Sequence, residues 1–218
     1  MKKIAILLSM AAVLLMSCDD DFLETKPIAS ATTETFYVDM TSIEDNTTAT
    51  YGMQNMMLVD VYYFLIGCIC DDYEAGGDNI NDFPAITDVD LLRHTPSSFA
   101  DGYLGKLWNY PYKAIRLANT VLKYADNVKE LLKATSTSDK EYEAAVADID
   151  RRCAEVKFLR AHDHFMLMQM FGGVPYITSL VDAESYNSTS RNTVAEVLHA
   201  VEQDCREALQ IGRASCRE

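Results

Sequence analysis

The sequence predicts a mainly α-helical fold of stacked helical hairpins that carry long irregular loops. Three observations lead there. Apolar residues recur at three- and four-residue spacing through several long stretches. Glycine, proline and polar residues gather in blocks between them. Residues 139–171 carry an apolar stripe wide enough to be packed on two sides, as stacked hairpins require.

The first helix follows a cap at Asp39 or at Thr41-Ser42, with Glu44 and Asp45 in its first turn. Its apolar residues are Ile43, Tyr51, Met53, Met56, Met57 and Val59. Leu58 to Cys70 is almost continuously apolar, and periodicity leaves open whether it is the buried end of this helix or a strand. Asp71 to Ser98 holds Gly76-Gly77, Pro84 and Pro96 and predicts a long irregular loop. Helical spacing returns from Phe99 to Ala125 through Leu104, Leu107, Trp108, Ile115, Ala118 and Leu122. Pro111, which has no N–H for the ladder, should end or kink its first part.

A Ser/Thr-rich turn at 135–138 precedes a long helix from Asp139 to about Phe171. Ile149, Cys153, Val156, Leu159 and Met166 mark one face, widened by Phe158, Phe165, Met168 and Met170. Gly172-Gly173 stops it and Val174-Pro175 leaves it extended. A polar stretch, 182–190, leads to a last helix from Asn192 or Thr193. Its face is Val194, Val197, Leu198, Val201, Cys205 and Leu209.

Residues 1–17 have the grammar of a secretory signal: Lys2 and Lys3, an uncharged apolar run from Ile4 to Met16, and a small residue before the cut. The run is shorter than the ~20 residues that span a bilayer. Leu15-Met16-Ser17-Cys18 resembles the lipobox of bacterial lipoproteins, in which the cysteine is acylated, for example by palmitate. Each buried methylene contributes about 0.8 kcal/mol, so several chains on Cys18 would hold the protein firmly to a membrane. Residues 18–35 read as a tether. Its acidic start, Asp19-Asp20-Asp21, resembles a surface-export signal of some Gram-negative lipoproteins. Residues 211–218 resemble the translation of a sequencing-adapter oligonucleotide and are set aside, which leaves 36–210 as a helical region truncated at its end.

The formal net charge of −14 argues against nucleic acid, which needs a basic footprint. Cys68, Cys70, Cys153 and Cys205 are too few and too widely spaced for a disulfide framework and read as free thiols, largely buried. No nucleophile–base pattern, phosphate loop or dinucleotide fingerprint is present, so no catalytic residue is assigned. His162 and His164 lie two apart on a helix, face different ways and match no zinc spacing, so no metal is expected. Trp108 lies on the apolar face of its helix and reads as core. Arg160 and Glu155 read as a structural polar network.

Two segments resemble the SusD/RagB family of surface glycan-binding lipoproteins. One is Trp108-Asn109-Tyr110-Pro111-Tyr112 through Ile115 to Asn119. The other is Phe158-Leu159-Arg160-Ala161 followed by Phe171-Gly172-Gly173-Val174-Pro175. The start, Cys18-Asp19-Asp20-Asp21-Phe22-Leu23-Glu24, is similar to the family's mature N-terminus. His162-Asp163-His164 departs from the aromatic residues usual after the Arg-Ala pair.

The resemblance implies tetratricopeptide-like hairpins, no catalysis and no cofactor beyond the lipid on Cys18. It implies an outer-membrane, cell-surface location beside a SusC-like TonB-dependent transporter that receives captured oligosaccharides or, in some relatives, peptides. Sugar recognition needs aromatic faces with carboxylates and amides at their edge. Asp72, Glu74, Asp78, Asn79, Asn81, Asp82, Phe83 and Tyr103 supply those types, in a segment that in the family lies near the ligand. A helical-repeat scaffold that binds only protein or peptide, and a glycoside hydrolase, are the competing readings.

Overall fold

A computed structural model describes residues 37, 39–59, 67–70, 74, 76–79, 81–82, 84–93 and 103–215. The chain divides into two units, Met1–Phe36 and Tyr37–Glu218, and every described residue belongs to the second. The signal, Cys18, the tether, Asp72 and Phe83 lie outside the described residues.

The described residues form α1 (Met40–Met57), α2 (Pro84–Asp90), α3 (Tyr103–Thr135), α4 (Asp139–Phe171), a 3-10 turn (Ala183–Ser188) and α5 (Val194–Ser215). They include no strand, as expected for a mainly α fold. No helix among them is long and apolar enough to cross a membrane. Antiparallel neighbours α3 and α4 join through the short turn 136–138, α1 lies against both, and α5 makes its most extensive contact with α4.

Asp39 caps α1, its carboxylate accepting the Ser42 N–H at 2.9 Å. Because the helix starts at Met40, Glu44 and Asp45 fall beyond the first turn where they were expected. The expected apolar face is also corrected: Tyr51, Met56 and Val59 are exposed, whereas Ser42, Asn46, Thr47 and Thr50 are buried. The last three side chains donate to the carbonyls of Ser42, Ile43 and Asn46, four residues back, at 2.8–2.9 Å. A polar side chain satisfied by its own helix can enter a core without an orphaned donor. α1 ends in a wide turn at 58–59, and residues 67–69 are helical again.

Within the expected long loop, Pro84 opens the short helix α2, and its Ile86 and Val89 pack with Cys68, Leu104 and Leu107. A proline at a first helical position loses no ladder bond. Pro111 does not end its helix: α3 continues through it to Thr135. Interior proline costs ~3 kcal/mol, and burial on both sides of it offsets this. Leu104 and Leu107 sit in one apolar cluster, and Ile115, Ala118 and Val121 in two others.

Ser138 caps α4 through the Glu141 N–H, and Gly172 ends it at φ 72°, so the sequence reading of Asp139 to Phe171 holds. Ile149, Cys153, Val156, Leu159 and Met166 are buried as expected, but Phe158 is 54% exposed. The first three join Tyr37, Ile43, Ala118 and Val121 in the core between α1, α3 and α4. Burial pushes the Cys153 thiol up to about 11. Cys68 is also buried, Cys70 is exposed and Cys205 is half-buried, all four being free thiols. Arg152–Glu44 at 2.5 Å and Lys129–Asp150 at 2.6 Å bridge helices at the surface.

Thr193 and Glu196 form a reciprocal cap at the start of α5. Its face divides: Val197, Asp204 and Ala208 are buried, while Val194, Leu198 and Leu209 are exposed. One stripe of the predicted apolar face therefore meets the bundle and the other meets solvent.

Gly173 passes so close to residue 192 that an added Cβ would clash with the Asn192 carbonyl oxygen. Gly173→Ala is expected to destabilise the protein by about 1–3 kcal/mol, the usual cost of overpacking. Urea unfolding monitored by circular dichroism measures it, and an unchanged midpoint would contradict this packing.

Candidate functional site

Four of the eight residues singled out from the sequence build one exposed turn. The Asp82 carboxylate accepts the N–H groups of Asp78 at 2.6 Å and Asn79 at 3.2 Å, and the Asn79 side-chain amide at 3.0 Å. The Asn79 side-chain oxygen accepts the Asn81 N–H at 2.9 Å. Asn79 and Asp82 thus spend their polar atoms on folding the turn, and the side chains of Glu74, Asp78 and Asn81 are exposed. Tyr103 is the first residue of α3.

A second site comes from the segment after α4. Residues 174–182 belong to no helix or strand, yet side chains from α3 and α4 and that of Asn192 hold their backbone. Tyr112 donates its hydroxyl to the Pro175 carbonyl at 2.9 Å. The Asn119 amide donates to the carbonyls of Ile177 and Ser179 at 3.1 and 3.2 Å. Arg160 Nη1 donates to the Thr178 carbonyl at 3.1 Å. The Tyr176 N–H reaches Asn192 Oδ1 at 2.9 Å, and the Ile177 N–H reaches His164 Nε2 at 3.0 Å. Six side-chain bonds thus pair strap backbone groups that a sheet would otherwise pair.

Arg160 is the hub. Its Nε and Nη2 grip both oxygens of Asp204 at 2.8 and 2.7 Å, and Nη1 donates to Asn119 Oδ1 at 2.6 Å. Arg160 and Asp204 are only 4% and 5% exposed. Tyr176 adds its hydroxyl to Asp204 at 2.7 Å, and burial followed by that hydrogen bond raises its pKa. The expected network at Arg160 is present, but Glu155 is outside it and faces Arg151 at 3.6 Å.

His164 is fully buried and stacks on Tyr176 at 3.9 Å between ring centroids. Its Nδ1 lies 2.9 Å from the Arg160 carbonyl and must donate there, because Nε2 accepts from Ile177. This tautomer is neutral, and burial lowers its pKa to about 4. Next to it, Asp163 is 1% exposed with Oδ2 unpartnered, and burial raises its pKa to about 6. No group of residues able to hold a metal occurs among the described residues.

Between α3 and the strap lies a groove of about 610 Å³. Trp108, Tyr112 and Ile115 line one wall, and Pro175, Ile177 and Val181 line the other. Trp108 is half-buried, edge-on to Phe171 at 5.1 Å and tilted against Tyr112 at 4.9 Å. It combines the expected core packing with a face on the groove. Lys113, Arg116 and Arg191 stand at the rim. Arg191 also donates to the Phe171 carbonyl at 3.2 Å. Burial raises the pKa of Tyr112, while the charge of Arg191 opposes that rise. The four-residue steps from Trp108 to Tyr112 to Arg116 align these side chains on the continuous helix, a line that the break expected at Pro111 hid in the sequence. Nothing local pointed to Arg191.

A family model described as SusD-like, starch-binding and associating with the outer membrane matches residues 21–212. No curated protein matches. Among solved structures, a laminarin-binding SusD-like protein is 26% identical with a TM-score of 0.61, over 79% of this chain and 34% of that one. A SusD superfamily protein of Bacteroides thetaiotaomicron is 20% identical at TM-score 0.58, over 80% of this chain and 36% of that one. A SusD-like protein of Bacteroides fragilis is 17% identical at 0.57, over 86% and 32%. The chain therefore spans about a third of the length of these structures.

Asp163 and His164 pull stability in opposite directions with pH. Asp163 has a raised folded pKa, so its contribution falls as pH rises from 3.8 to about 6. His164 has a lowered one, so its contribution rises from about pH 4 to 6.5. The two largely cancel between pH 4 and 6. Asp163→Asn should leave stability near wild type at pH 4 and raise it by about 1–3 kcal/mol above pH 6. Urea midpoints at both pH values check this, and a difference that does not grow with pH would contradict it.

Proposed function

The chain belongs to the SusD-like family of starch-binding proteins associated with the outer membrane, and on that premise we propose that it binds oligosaccharides in the groove between α3 and the strap. A pyranose ring presents an apolar face and a hydroxyl edge, and the groove pairs like with like. Trp108 and Tyr112 offer flat aromatic surface, while Asn109, Ser179 and Thr189 offer hydrogen-bonding groups around it. That pairing, in a wall already fixed by the Arg160 network, is the observation that carries the reading. A preformed site loses little ordering entropy on binding.

Exposed Glu74, Asp78 and Asn81 supply further hydroxyl partners on the separate turn. The role is capture without catalysis or cofactor. A lipid on Cys18 would hold the protein at the outer cell surface, beside a SusC-like TonB-dependent transporter that takes the sugar onward.

Laminarin is the first polysaccharide to test, since a similar structure at 26% identity is laminarin-binding. Affinity electrophoresis in laminarin-containing gels should retard the protein. Trp108→Ala should weaken retardation about threefold to tenfold, the worth of an aromatic contact of about 0.5–1.5 kcal/mol. A thermal melt of the variant separates lost binding from lost folding. Undiminished retardation by folded Trp108→Ala would remove the groove from the reading.

A further inference from the structure

We infer that the groove selects acidic oligosaccharides, those bearing uronate carboxylates or sulfate esters, over neutral ones. The inference rests on the glycan-binding reading and narrows its ligand class. Asp and Glu outnumber Lys and Arg by 33 to 19 in this chain. Among the described residues that line the groove that balance is reversed: they include Lys113, Arg116 and Arg191 and no Asp or Glu.

All three are exposed residues at the rim. They approach from two directions. Lys113 and Arg116 come from α3, and Arg191 comes from the segment after the 3-10 turn. The Phe171 carbonyl takes a hydrogen bond from one nitrogen of Arg191 and thereby orients its plane at the rim. Lys113 Nζ lies 5.7 Å from the ring centroid of Tyr110, its neighbour three residues back on α3.

A neutral sugar is commonly held through carboxylates that accept its hydroxyl protons, and none is among the described residues that line this groove. A carboxylate or sulfate on the sugar reverses the roles: the ligand accepts and the protein donates. Guanidinium groups suit such planar or trigonal oxyanions through paired N–H donors. Distance decides between the cationic rim and the acidic whole. At physiological salt, charges beyond about 8 Å are largely screened, so the three cations of the lining count for more than the distant acidic surface, with Asp182, next to Val181, opposing them. Elsewhere the acidic surface repels a polyanion, so non-specific adhesion does not mimic the effect.

Affinity electrophoresis of the full chain in three gels tests this: polygalacturonate (carboxylate), κ-carrageenan (sulfate) and laminarin (neutral). Retardation should be stronger in at least one acidic gel than in laminarin, and the acidic gel that retards identifies the oxyanion. It should weaken at least tenfold on raising NaCl from about 50 to about 500 mM. It should also weaken at least tenfold in Lys113→Glu/Arg116→Glu, with Lys113→Arg retained and all melts unchanged.

Retardation by laminarin alone would overturn the inference and leave the glycan reading standing. No retardation in any gel would overturn both. Acidic-gel retardation that survives charge reversal in a folded variant would place the polyanion elsewhere and overturn the inference. If charge reversal prevents folding, the single Lys113→Gln and Arg116→Gln variants decide by the same comparison.

Discussion

The pairing of Arg160 with Asp204 is the constraint on which the candidate site depends. A guanidinium taken out of water is tolerated only when its charge and its donors are met. Here Asp204 meets the charge, and Asn119 and the Thr178 carbonyl take further donors. Those partners come from α3, α5 and the strap, so satisfying one side chain of α4 fixes three other pieces of chain. Removing one partner from a buried pair of this kind costs about 3–5 kcal/mol, because the survivor keeps its desolvation penalty. The strap has no sheet to lie in, and this network with His164 and Asn192 replaces one.

From that constraint the groove follows. Its floor and one wall are a helix face, which needs only periodicity. Its other wall is irregular backbone that side chains pin. The Phe-Leu-Arg-Ala and Phe-Gly-Gly-Val-Pro motifs belong to this framework. Arg160 supplies the hub, Gly172 turns the chain out of α4, and Gly173 lets it pass against Asn192. They hold the groove in shape, and the residues proposed to meet a ligand stand beside them.

Legibility in the sequence divided along the same line. α4 was readable to its ends because Ser138 and Gly172 mark them chemically. The inner face of α1 was not, because Asn46, Thr47 and Thr50 read as polar while bonding back to their own helix. α2 was missed because seven residues between glycines and prolines carry too little period. Trp108, Tyr112 and Arg116 share one line of α3, but the break expected at Pro111 hid it. Arg191 and Asp204 could not be placed, since their partners are 20 and 44 residues away in the chain. The turn at 77–82 shows the converse. Its residue types suited a sugar, but Asp82 and Asn79 bond chiefly within the turn.

The most direct measurement is hydrogen exchange at the amides of Tyr176 and Ile177, compared between the wild-type chain and Asp204→Asn. Both N–H groups donate to side chains, Asn192 and His164, that belong to no regular ladder. If the Arg160–Asp204 pair holds the strap, both amides exchange in wild type as slowly as those in the middle of α3. They then become selectively fast in Asp204→Asn while α3 stays protected. Fast exchange at both positions in wild type, or equal protection in the variant, would contradict the account.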